Sequence, residues 1–102
     1  MILRMYCVFD SKTALYSGPY FFRTEAECLR AFSRSAAIDE QSMFHLHGED
    51  YTLFYTGEFN DSTGVVSMNS SFVSLGTMLS LGVAYLAHVK SLQPDVSNTD
   101  KV

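Results

Sequence analysis

Apolar and polar residues alternate with a period of two near the start of the chain. Leu3, Met5, Cys7 and Phe9 fall on one face and Arg4, Tyr6 and Val8 on the other, which predicts a strand. Asp10-Ser11-Lys12 is a polar break, and Gly18-Pro19 punctuates the chain again before Tyr20-Phe21-Phe22, so a turn and a short extended piece are expected. Thr24 followed by Glu27 has the spacing of a capping box and predicts a helix from Glu25. Its apolar positions Cys28, Leu29, Phe32 and Ala36 recur at three- and four-residue steps and should face a sheet, and the helix should end between Ser35 and Ile38. Residues 39–49 read as a loop. Tyr51, Leu53, Tyr55 and Phe59 then mark the strongest strand of the chain, rich in aromatic and β-branched residues. Asn60-Asp61-Ser62-Thr63-Gly64 supplies a turn, from which Val65 to Met68 can return antiparallel as a hairpin. From Leu75 to Val89, Leu, Met, Val and Ala lie on nearly all sides of a predicted second helix.

These elements predict an α+β domain over residues 1–92, in the approximate order β-α-β-β-α, with a small antiparallel sheet of three or four strands and two helices. Residues 93–102 are polar and are expected to form a flexible tail. A length of 102 residues suits one core, because cores that divide usually need roughly 250 residues or more. With so few strands a sheet edge stays unpaired, and a homodimer is the simplest cover for it. Gly76, Ser80 and Ala84 stand four apart and would form a small-residue strip on the second helix, a candidate oligomer interface.

Charge narrows the chemistry. Eleven acidic residues against seven basic ones give a net charge of -4, the wrong sign for a general binder of phosphate backbones, so any nucleic-acid surface must be local. Arg23, Arg30 and Arg34 share one helical stripe, interrupted by Glu27. With Lys12, and with Tyr20 and Phe22 available to stack on unpaired bases, they are the candidate contacts to single-stranded DNA. No nucleophile elbow, phosphate loop or paired-carboxylate motif occurs, so no catalytic residue, enzymatic activity or cofactor is expected. The serines between Ser67 and Ser74 read as turn and cap residues. His45 and His47, near Glu49 and Asp50, lack a third ligand at fixed spacing and read as hydrogen-bonded loop histidines with no metal. Cys7 and Cys28 read as buried free thiols. No signal-peptide pattern is visible at the start, which makes the cytoplasm the expected location. From Ser62 to Val89 there is no Asp, Glu, Lys or Arg, and the run from Phe72 to Val89 is at the short limit for crossing a bilayer. It is expected to be a core or dimer helix, with membrane insertion the lesser reading.

The run Glu49-Asp50-Tyr51-Thr52-Leu53-Phe54, continued by Gly57-Glu58-Phe59-Asn60-Asp61-Ser62-Thr63-Gly64, resembles the small nonstructural proteins of gokushoviruses, single-stranded DNA phages of the microvirus family. Phe9-Asp10-Ser11-Lys12, Arg30-Ala31-Phe32, Phe44 with His45 and His47, and Ser74-Leu75-Gly76 follow the same order. The resemblance covers about Tyr6 to Gly76. It implies a noncapsid phage protein of the host cytoplasm, DNA-binding and linked to production or packaging of the single-stranded genome. A protein-interaction adaptor, with phage or host replication proteins as partners, is the alternative that suits the negative charge. The chain departs from that family in two places: Gly48 stands where proline is expected, and the helix after Gly76 is unusually apolar.

Overall fold

Strand β1 (Ile2–Asp10) follows the period-two pattern: Tyr6 and Val8 are fully buried on the face that carries the core. The computed structural model describes residues 1–92. After β1 come β2 (Leu15–Phe22), α1 (Glu25–Ile38), a four-residue α2 (Met43–Leu46), a 3-10 turn at Gly48–Asp50, β3 (Tyr51–Asn60), β4 (Val66–Thr77) and α3 (Met78–Leu92). The four strands form one sheet in the order β2-β1-β3-β4, and every neighbouring pair is antiparallel. The fold is α+β.

Helix α1 starts where its cap requires. The Thr24 hydroxyl accepts the Glu27 N–H at 3.2 Å, and Cys28, Phe32, Ser33 and Ala36 turn inward. Helix α3 packs beside α1. At Gly82 an added Cβ would stand 3.2 Å from the Ala36 carbonyl carbon, so the glycine sets how closely the two helices approach. The core lies between this helical layer and one face of the sheet, with Tyr6, Val8, Cys28, Phe32, Ala36, Leu53 and Met78 at its centre.

Three expectations change. The break at Gly18-Pro19 lies inside β2, whose register against β1 shifts between Tyr6 and Val8. The expected loop at 39–49 contains α2, whose cap Ser42 accepts the Phe44 N–H at 3.1 Å, and the start of the 3-10 turn. The largest change is at β4, which continues to Thr77, so the serines between Ser67 and Ser74 are strand residues. Gly76 has φ +115 within that strand, outside helical space. Helix α3 therefore begins only at Met78, where the Thr77 hydroxyl accepts the Ser80 N–H at 3.1 Å. The proposed strip of Gly76, Ser80 and Ala84 does not form on one helix. Close helix approach is made instead by Gly82, against α1 of the same chain.

Both sheet edges are irregular. Strand β4 bulges twice against β3, between the partners of Leu53 and Phe54 and again between those of Tyr55 and Gly57, where Asn69 Nδ2 donates to the Tyr55 carbonyl at 3.3 Å. Bulges of this kind make an edge a poor template for another strand. The edge that motivated a second copy is thus already interrupted. No helix among the described residues is long and apolar enough to cross a membrane, because the run from Phe72 to Val89 is divided between β4 and α3.

Candidate nucleic-acid interface

The helical layer covers one face of the sheet, and pleating sends the alternate side chains to the other. On that outer face Met5 lies opposite Phe21, Leu3 opposite Phe59, Cys7 opposite Phe54 and Phe9 opposite Tyr16. Tyr16 is the centre of a ring cluster: its centroid lies 4.9 Å from Phe9, 6.1 Å from Phe54 and 5.9 Å from Phe72. Phe72 comes from the β4 bulge and reaches a ring that belongs to the opposite edge of the sheet. A second pair, Phe21 and Phe59, stands at 5.5 Å. Tyr16, Phe21 and Phe72 are 52%, 43% and 41% exposed, so this face presents aromatic surface to solvent. None of the residues named on it carries a charge.

The predicted aromatics lie elsewhere. Tyr20 and Phe22 point to the helical side, where their rings meet Phe32 edge-on at 5.1 and 6.0 Å, so packing, not stacking on a ligand, occupies them. Alternation along β2 sends Phe21 outward and Tyr20 and Phe22 inward. The sequence signal for the outward-facing rings is the pairing of Phe9 with Tyr16 across a hairpin.

The cations are also divided. Arg23, Arg30 and Arg34 are exposed and form no salt bridge among the described residues. Arg23 lies two residues beyond Phe21, at the end of β2, whereas Arg30 and Arg34 belong to α1 in the opposite layer. Lys12, in the turn after β1, sits 3.9 Å from Asp50 and is 75% exposed, so its ion pair is loose. The structure therefore does not gather the predicted arginines and aromatics into one site. Arg23 follows the strand that carries Phe21, and Lys12 lies in the turn between β1 and β2, beside Met43, His47 and Asp50.

One arginine went unnoticed. Arg4 Nε donates to the Tyr6 hydroxyl at 2.8 Å, one of its terminal nitrogens lies 3.3 Å from Glu25, and its guanidinium sits 4.0 Å over the Tyr55 ring. The bond to Tyr6 holds Arg4 further in its charged form, while burial pushes the Tyr6 phenol up against the opposing pull of Arg4. This cluster is a structural tie between β1 and α1. His45 Nδ1 lies 2.8 Å from the Ala36 carbonyl, and no group of three His, Cys, Asp or Glu side chains is placed to hold a metal among the described residues.

Residues 3–81 match the family model described as Phage ORF5 protein. The chain belongs to this phage protein family. The match spans β1 through the first turn of α3 and so takes in the whole sheet and both of its faces. No curated protein and no solved structure matches the chain.

Proposed function

We propose that this ORF5 protein is a non-enzymatic accessory factor of a gokushovirus-type phage, acting in the host cytoplasm by binding single-stranded DNA during genome synthesis or packaging. The observation that carries the reading is the exposed aromatic cluster of Phe9, Tyr16, Phe54 and Phe72 on an antiparallel sheet. Every base has a π-face, so such a platform is sequence-tolerant, with each stacked base worth about 1–3 kcal/mol. Lys12 and Arg23 supply phosphate partners at the margins of the sheet.

The test is an anisotropy titration of the purified protein against oligothymidine and against duplex DNA at two salt concentrations. Tyr16→Ala and Phe72→Ala are each expected to weaken single-strand binding by about 5- to 150-fold, the factor that one lost stack implies. With about two phosphate contacts, log K should fall with log salt at a slope of about -1.4, far shallower than for a basic-patch binder. Absence of binding at low salt, or affinity untouched by both substitutions, would refute the reading. A protein-interaction adaptor is the second reading. It is favoured by one specific observation, the lack of charge across that face on a chain of net charge -4.

A further inference from the structure

A groove runs between α1 and α3, on the opposite side of the molecule from the aromatic sheet face. It has a volume of about 290 Å³ and is lined by Leu29, Arg30 and Ser33 of α1 and by Ala84, Tyr85 and His88 of α3. Two features separate it from an ordinary interhelical seam. Its polar lining consists of a guanidinium, two hydroxyls and an imidazole, all able to donate hydrogen bonds, with no carboxylate among them. Arg30 forms no salt bridge among the described residues. A set of donors around a fixed positive charge selects an anion, and a guanidinium matches the paired oxygens of a phosphate.

The rest of the lining supplies the remainder of a ligand. Leu29, Ala84 and the ring of Tyr85 form an apolar wall beside the donors, suited to a sugar or a base. The volume is just below the usual lower bound for small-molecule sites, about 300 Å³, which limits the occupant to roughly one nucleotide unit. The antiparallel packing of the helices brings these residues together: Gly82 seats α3 against Ala36, and Ala84, Tyr85 and His88, further along α3, then fall beside the earlier α1 residues 29, 30 and 33.

We propose that this groove is a nucleotide-phosphate site, with Arg30 and His88 holding the phosphate, Ser33 and Tyr85 donating to it, and the Tyr85 ring lying against the base or sugar. The site is independent of the sheet face and stands whether or not that face binds DNA.

Nuclear magnetic resonance titration of the full chain with thymidine 5′-monophosphate, thymidine and inorganic phosphate tests it. Thymidine monophosphate is expected to shift the ring resonances of His88 and Tyr85 and the Nε–H of Arg30. Inorganic phosphate should shift His88 and Arg30 most, with a smaller change at the Tyr85 ring from its hydroxyl contact, and thymidine should shift none of them. Arg30→Gln and His88→Gln are each expected to weaken thymidine monophosphate at least tenfold. Both positions are exposed, and an unchanged amide spectrum elsewhere would report an intact fold. Tyr16→Ala and Phe72→Ala should leave this binding unaltered, which keeps the outcome separate from that of the sheet face. Equal shifts with thymidine and its monophosphate, no shift of His88 at millimolar ligand, or affinity unaffected by Arg30→Gln would overturn the proposal.

Discussion

Cys28 shows at a single residue what burial does in this chain. It is completely enclosed between α1 and the sheet, and burial pushes its thiol up to about 12 from an ordinary value of 9.0. The unfolded chain ionises this thiol near 9.0, whereas the folded chain holds it neutral to about 12. Its contribution to stability is thus fully present below the lower value and is lost as pH rises through that interval. In urea unfolding at about pH 8 and about pH 10.5, wild type is expected to lose stability more steeply than Cys28→Ala, by up to about 1.4 kcal/mol per pH unit above 9. Parallel losses would count against it. The Arg4 cluster makes a second residue-scale prediction. Arg4→Met leaves the fully enclosed Tyr6 without its 2.8 Å partner, at a cost of about 1–3 kcal/mol. Adding Tyr6→Phe should recover part of that loss in a double-mutant cycle; strictly additive effects would show that the two residues do not act together.

Among the elements, the two departures from the resembled family meet in space. Gly48, where proline is expected, lies in the 3-10 turn, and an added Cβ there would come 2.8 Å from the Leu79 amide nitrogen at the start of α3. The turn can seat α3 this closely because it has no side chain at that point. Gly48→Ala must push the turn and helix apart, and about 1–3 kcal/mol of destabilisation is expected in thermal or urea unfolding. A neutral result would mean that the contact is slack. The local signals of the elements varied in reach. The α1 start was legible because Thr24 and Glu27 are three residues apart and make their contact within one turn. The extent of β2 was not, because Gly18 and Pro19 read as a break, while pairing with β1 across the hairpin on both sides of that dipeptide keeps the strand going. The serine-rich half of β4 has weak strand propensity, and its uncharged composition suits a helix equally well. Pairing of Val73 with Tyr55 and Ser74 with Phe54 decides for the sheet.

At the scale of the whole molecule, aromatic surface and positive charge sit in different layers. The sheet's outer face carries Phe9, Tyr16, Phe54 and Phe72, whereas α1 carries Arg30 and Arg34 on the other side. Arg34 lies beside Ala31, Ser35, Ile38 and Asp39, away from the groove that Arg30 lines. Arg34→Glu is therefore expected to change oligothymidine affinity by less than about threefold, while Arg23→Glu, next to the aromatic face, weakens it by about 3- to 10-fold at low salt. An equal effect from both would place DNA on the helical layer instead.

Periodicity and local caps were enough for an α+β class, for α1 and for the turn after β3, and short runs of residues were enough for a resemblance to phage proteins, since each rests on residues close together in sequence. The site residues were another matter. That Tyr20 and Phe22 pack half-buried against the core while Tyr16, Phe21 and Phe72 face solvent depends on strand register and on which face the helices cover. Arg30, Tyr85 and His88 share a groove only because two helices distant in the chain pack antiparallel. Those relations are non-local contacts, and no short window of residues contains them.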